Sequence, residues 1–219
     1  ENLMTHFNSY GVHGSKIIVT TRLGGVASIT GTLSPHYLQE ISEDDSWSLF
    51  AKHAFTEDSV IPAHPHLEVI GRQIVKKCQG LPLAIKSMGG LLRSVLNPKE
   101  WEKILKSDLW ELPNDKVLPA LWLSYQYLPP HLKRCFAYCA IFPKGYTFQS
   151  SKLISWWMAE DFLQPHGKEP LEDVGSEYFD ILVSRSFFQH SEECGESYFT
   201  MHDLINDLAK FVSGEFCLS

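Results

Sequence analysis

The chain has 219 residues, 44% of them hydrophobic, enough to bury one large core or two smaller ones. Its 26 Asp and Glu outnumber its 19 Lys and Arg, for a formal charge of -7, and that surplus argues against a surface built to neutralise nucleic-acid phosphates or to hold a membrane through a polybasic patch. Its five cysteines are odd in number and irregularly spaced, and no uncharged apolar run approaches the ~18 residues of a membrane-spanning helix, so we expect a soluble, cytoplasmic protein from a reducing compartment with no integral membrane segment.

The opening Glu1-Asn2-Leu3-Met4 is neither a signal sequence nor an initiator methionine, which suggests a fragment. Gly14-Ser15 is a turn signal ahead of Lys16-Ile17-Ile18-Val19-Thr20-Thr21, a β-branched run without charge after Lys16, as expected of a strand covered on both faces in a parallel α/β sheet. One other candidate strand lies nearby, around His36 to Ile41, so the rest of that sheet is expected upstream of Glu1.

Ser42 followed by Glu43, Asp44 and Asp45 starts a helix on which Trp47, Phe50, Ala51 and Ala54 recur at helical spacing. His66 to Cys78 carries Leu67, Ile70, Ile74 and Val75 on one face, and Gly80 ends that helix in a left-handed turn. Pro82 suits the first turn of the next helix, Leu83 to Ser94. After Asn97-Pro98, Lys99 to Lys106 forms a short helix with Trp101, Ile104 and Leu105 facing inward.

The polar break Leu112-Pro113-Asn114-Asp115 marks a domain boundary. Helices follow over Val117 to Tyr125, His131 to Ala140, Ser150 to Phe162 and Leu171 to Ser184. Phe187 to His190 and Ser197 to Met201 flank a turn-prone segment, Ser191 to Glu196, that contains Gly195, and predict a β-hairpin. Asp203 opens a final helix through about Phe211. Helices followed by a two-stranded wing suggest a winged-helix domain.

Four segments occur in order: Gly14-Ser15-Lys16-Ile17-Ile18-Val19-Thr20-Thr21-Arg22, Gly80-Leu81-Pro82-Leu83-Ala84, Cys135-Phe136-Ala137-Tyr138-Cys139-Ala140-Ile141-Phe142-Pro143, and Met201-His202-Asp203. They resemble successive signature motifs of the nucleotide-binding NB-ARC domain of plant leucine-rich-repeat (NLR) disease-resistance proteins. The stretch from Cys135 to Phe148 is similar to the coiled-coil class of these receptors. The resemblance implies a mostly α fold in three parts. Residues 1–42 would be the C-terminal edge of a P-loop α/β nucleotide-binding domain, 43–115 a small helical (ARC1-like) domain, and 116–219 a winged-helix (ARC2-like) domain.

Arg22 puts a permanent cation at the carboxyl edge of the expected sheet, where open α/β folds bind ligands. Spacing alone favours an exposed arginine ending a strand. The resemblance implies a sensor whose guanidinium pairs with the terminal phosphate of ATP, with Thr20 and Thr21 either adding hydroxyl contacts or serving β-propensity. Pro82 offers a rigid ring without a backbone donor, which at a helix start can lie on adenine or simply begin the helix. Leu83 is either a second apolar wall or core. His202 lies between hairpin and last helix, where an imidazole beside free N–H groups can reach a diphosphate. The family reading gives it the β-phosphate of ADP, with Asp203 as the helix cap fixing the turn; without the resemblance, a cap plus a bystander histidine is the first choice.

Other clusters have plainer readings. Cys135 and Cys139 lie one helical turn apart, but no second Cys/His pair completes a metal site, and both are expected in the core. Tyr138, Phe142, Trp156, Trp157 and Phe162 suit a helical core rather than a stacking platform for bases. His53, His64 and His66 straddle a loop with Pro62 and Pro65, and Glu169, Glu172 and Asp173 suit the dipole of the following helix.

No Gly-x-x-x-x-Gly-Lys-Ser/Thr segment and no apolar strand ending in paired aspartates precede Arg22. The phosphate cradle and Mg²⁺ ligands are therefore expected in the complete protein, with weak or absent ADP/ATP binding and no catalysis by this chain alone. Leu23-Gly24-Gly25 departs from the family pattern and is expected to loosen the sensor loop, and Asp161, where glycine is commoner, to alter a helix end. The resemblance implies an ADP/ATP-dependent conformational switch in plant defence. Its partners would be the receptor's own N-terminal signalling domain and leucine-rich repeats, with homo-oligomer formation on activation. The alternatives are a protein-interaction module with degenerate nucleotide binding and a winged-helix DNA-binding protein, the latter disfavoured because Asp203 to Phe211 has one lysine against two aspartates.

Overall fold

A computed structural model describes residues 15–30, 33–55, 65–93, 95–111, 117–164, 167, 169–193 and 195–216. Gly14, Pro62, His64, Ser94, the break Leu112 to Asp115, Cys194 and Cys217 lie outside the described residues. The chain divides into two compact units, Glu1–Gln39 and Glu40–Ser219.

In the first unit the expected strands are corrected. Neither Lys16 to Thr21 nor His36 to Ile41 has strand structure, and Ile18, expected to be covered on both faces, is 91% exposed. A strand is held by the ladder to its neighbours, and among the described residues no sheet ladder includes either segment, the second of which runs on into Glu40 and Ile41 of the other unit. Leu23 to Gly25, expected as a loose loop, instead starts helix α1 (Gly24–Thr30). The Leu23 carbonyl accepts from the Val26 and Ala27 amides at 3.0 and 3.1 Å.

The second unit contains two hydrophobic cores. The first is built by α2 (Glu43–Ala54), α3 (Pro65–Lys77), α4 (Pro82–Leu91) and α5 (Pro98–Leu105), followed by a short 3₁₀ turn, Asp108–Glu111. Ser42 caps α2 by accepting from the Asp45 amide at 3.1 Å, and its hydroxyl in turn donates to the Asp45 carboxylate at 2.7 Å. Trp47, Phe50, Ile74, Ile85, Met88, Trp101 and Ile104 fill this core. The Trp101 ring, edge-on to Phe50 at 5.6 Å, satisfies its buried N–H on the Val95 carbonyl.

The second core takes α7 (Pro130–Tyr138), a 3₁₀ turn (Cys139–Ile141), β1 (Thr147–Phe148), α8 (Ser150–Ala159), α9 (Leu171–Ser184), β2 (Gln189–Glu193), β3 (Glu196–Thr200) and α10 (Asp203–Phe216). The antiparallel sheet runs β1-β3-β2, with Phe148 opposite Phe199 and Glu193 opposite Glu196. The hairpin is shifted from its expected place. Phe187 and Phe188 are buried before β2 begins, and Gly195 at φ 81° makes the tight turn. α8 stops at Ala159 rather than Phe162, because Asp161 adopts φ 57° and the Phe162 amide reaches back to the Trp157 carbonyl at 3.0 Å, a left-handed helix stop made without glycine. α7 likewise tightens into its 3₁₀ turn before Ala140, and α10 continues past Phe211.

Helix α6 (Pro119–Gln126) serves both cores: Ala120 and Leu123 enter the first, Leu121 and Tyr125 the second. Leu83 of α4 also packs against the second core. Where α4 meets the end of α9, Gly90 permits close approach, since a β-carbon there would collide with the Ser184 carbonyl and lie 2.8 Å from Arg185 Cα. The half-buried Arg185 then donates to the Tyr127 carbonyl at 3.0 Å, at the carboxyl end of α6. Gly90→Ala should therefore destabilise the protein by about 1–3 kcal/mol, read as a lower urea midpoint; an unchanged midpoint would mean that this contact is slack.

Candidate functional site

The segment Met201-His202-Asp203 lies where β3 hands over to α10, with Met201 buried and His202 and Asp203 exposed. The cap of α10 is His202, which corrects the expectation for Asp203. Imidazole Nδ1 accepts from the Leu204 amide at 3.1 Å, and the His202 carbonyl accepts from the Ile205 and Asn206 amides at 2.9 Å each. Asp203 is the first helical residue, where its carboxylate favours the helix dipole. Because an amide N–H can only donate, Nδ1 is the unprotonated nitrogen, so the proton of the neutral ring sits on Nε2. The ring presents one N–H donor beside the amino end of a 14-residue helix, a setting that favours anions.

Two polar contacts that sequence reasoning missed hold this end of α10. Asn206, 1% exposed, donates from Nδ2 to the Phe142 carbonyl at 3.0 Å. Lys144 Nζ meets the Asp207 carboxylate at 2.7 Å. The first ties Phe142, within the Cys135 to Pro143 motif, to the helix that follows Met201-His202-Asp203, and the second ties Lys144, just after that motif, to the same helix. The available signal was a polar residue one turn after His202 on an otherwise apolar helix face.

Gly80 has φ 65°, and a β-carbon there would lie 2.8 Å from Glu40 Cβ and 2.9 Å from the Ile41 carbonyl. Its own carbonyl accepts from the Ile41 amide at 3.2 Å. Glycine thus allows the chain before α2 to lie against the end of α3. The adjoining cleft, about 390 Å³, is walled by Glu40, Ile41, Trp47, Arg72, Lys76 and Gly80 among others, and does not include Pro82, Leu83 or His202. Pro82 is exposed at the first position of α4, and the preceding Leu81 supplies no side-chain cap. Leu83 is half-buried against the second core, so core packing already accounts for it.

Thr21 and Arg22 are exposed and belong to the unit Glu1–Gln39, whereas Pro82, Leu83, His202 and Asp203 belong to Glu40–Ser219. The Thr21 hydroxyl accepts from the Leu23 amide at 3.1 Å, a local turn contact leading into α1.

Cys135 and Cys139 are fully buried. Burial pushes the Cys135 thiol up to about 12 and raises Cys139 well above the ordinary thiol range. The Cys135 carbonyl accepts from both Trp157 Nε1 at 3.1 Å and Cys139 Sγ at 3.4 Å, and Trp157 is itself core. On α9 the solvent face carries Glu172, Asp173, Glu177 and Asp180, and the helix has no Lys or Arg.

Comparison with known proteins agrees with this architecture. Residues 141–209 match the winged helix domain of disease resistance proteins. Disease resistance protein RGA2 of Solanum bulbocastanum is 49% identical over 202 residues, covering 91% of this chain and 21% of that protein. Disease resistance protein RPM1 of Arabidopsis thaliana is 36% identical over 212 residues, 93% of this chain and 23% of that protein. The chain spans about a fifth of the length of these curated relatives.

Two outcomes are expected. His202→Ala should lower folding stability by about 1 kcal/mol through loss of the cap, and His202→Ser, whose hydroxyl can cap, should recover most of it; equal unfolding midpoints for the two variants would refute the cap. Iodoacetamide should leave Cys78, Cys135 and Cys139 unmodified in the native protein and label them after unfolding, as read by peptide mass spectrometry.

Proposed function

From a chain that belongs to the plant disease-resistance proteins and carries their winged-helix domain over residues 141–209, we propose part of an ADP/ATP-dependent switch in a cytoplasmic immune receptor acting in plant defence. The observation that carries this reading is the capped, exposed ring of His202, whose Nδ1 is committed to the Leu204 amide and so leaves Nε2 as the ring's donor at the start of α10. A phosphate oxygen of ADP is the acceptor that such a donor and a helix amino end suit together. Pro82, exposed at an α4 start without a side-chain cap, offers an apolar plate for the base. Arg22 would pair with the terminal phosphate of ATP, and Thr21 would give a hydroxyl contact. The phosphate-binding loop and the Mg²⁺ ligands would come from residues outside this chain, which acts as a switch component and not as a turnover enzyme.

ADP held by both His202 and the residues around Pro82 would favour the closed form, and exchange for ATP would release the winged helix for oligomer assembly. A ligand moves such an equilibrium only by its difference in affinity for the two states; going from about 1:99 to 99:1 takes roughly 5.5 kcal/mol. One charge-assisted bond from His202 supplies about 1.5–3 kcal/mol of that, so other contacts must share the work. The receptor's own N-terminal domain and leucine-rich repeats would be the partners that this switch controls. The acidic solvent face of α9 repels a phosphate backbone and disfavours the duplex-DNA alternative.

In the full-length receptor, His202→Ala and His202→Ser should both speed ADP release by roughly 10- to 150-fold, although only the first loses the cap. Nucleotide retained after gel filtration measures this, and wild-type retention in both variants rejects the role given to His202.

A further inference from the structure

Asn206 sits on the buried face of α10, one turn after His202. Its Nδ2 bond to the Phe142 carbonyl spans 64 residues of sequence, while its Oδ1 accepts no hydrogen bond among the described residues. A buried amide satisfied on one side only costs more than a leucine of similar size in the same place, so packing alone does not account for it. The carbonyl it grips belongs to a residue fixed by ring stacking, Phe142 lying 5.0 Å from Tyr146 and 5.2 Å from Phe148. The apolar contacts of Ile205 and Leu208 tolerate a small rotation or slide of the helix, but a directional hydrogen bond does not. Any such movement would also carry His202, whose carbonyl accepts from the Asn206 amide.

We propose that Asn206 is a positioning residue for His202: its bond to Phe142 sets the rotation and height of the first turn of α10, and with them the direction of the outward Nε2–H. The Lys144–Asp207 pair, two residues beyond Phe142 and one beyond Asn206, guards the same register from the surface. This inference rests on the nucleotide reading of His202, and its test separates the two.

The experiment measures release of N-methylanthraniloyl-ADP from the full-length receptor in four forms: wild type, Asn206→Leu, His202→Ala and the double variant. Asn206→Leu should speed release by at least about threefold in the wild-type background, with a thermal midpoint equal to or above wild type. It should add nothing once His202 is alanine, because Asn206 acts through that ring. Equal acceleration in both backgrounds would make Asn206 merely structural and overturn the proposal, as would no acceleration by Asn206→Leu where His202→Ala does accelerate. If His202→Ala itself leaves release unchanged, the nucleotide reading falls and this inference falls with it. Should Asn206→Leu not fold, Asn206→Ala takes its place in the same cycle, and each result carries the same meaning.

Discussion

One helix, α6, is buried on two sides at once. Ala120 and Leu123 complete the core of α2 to α5, and Leu121 and Tyr125, on the same two turns, complete the core of the winged helix. A helix of eight residues is marginal until packed, so α6 depends on both cores for its own stability. The two cores thereby share an element. Leu83 adds to the contact from α4, and Arg185 does so from the end of α9 by bonding the carbonyl that closes α6.

The His202 ring illustrates how a small local bond decides chemistry. Had the Leu204 amide been capped by Asp203, either ring nitrogen could have carried the proton. Because the ring itself is the cap, Nδ1 is consumed and the outward atom is fixed as a donor. A substitution that removes this ring must supply another acceptor to the Leu204 amide if the first turn of α10 is to stay capped.

The helices of the second unit are legible in the sequence because each carries its own signals. Ser42 with Asp45, Pro82, Asn97-Pro98 and the apolar spacing of Leu171 to Ser184 are local chemistry, and the structure starts or spans helices at those places. The strand expected over Lys16 to Thr21 fails for the opposite reason: β-branched composition records what a strand would need, but a strand exists only with partners. β1 escapes notice because two residues carry no period, and it is defined by its pairing with β3. The cap role of His202 is hidden because imidazole is not among the usual capping groups, so the neighbouring aspartate looks like the better cap. Asn206 is invisible for a deeper reason, since its partner is a backbone carbonyl 64 residues away.

The winged helix also separates shape from surface. Along α9, Val174, Tyr178, Phe179 and Leu182 face the core, and Glu172, Asp173, Glu177 and Asp180 face solvent. The two sets interleave at helical spacing without sharing a position, so the fold places no demand on the charge of the outer face. A winged helix that reads DNA needs cations there; the charged residues on this outer face of α9 are all acids. The polar groups that the core does constrain are elsewhere, at the junction of Phe142 with Asn206 and of Trp157 with the Cys135 carbonyl. A buried directional bond tolerates less displacement than an apolar contact, so the end of α10 that bears His202 is held in orientation while the α9 surface is free to vary.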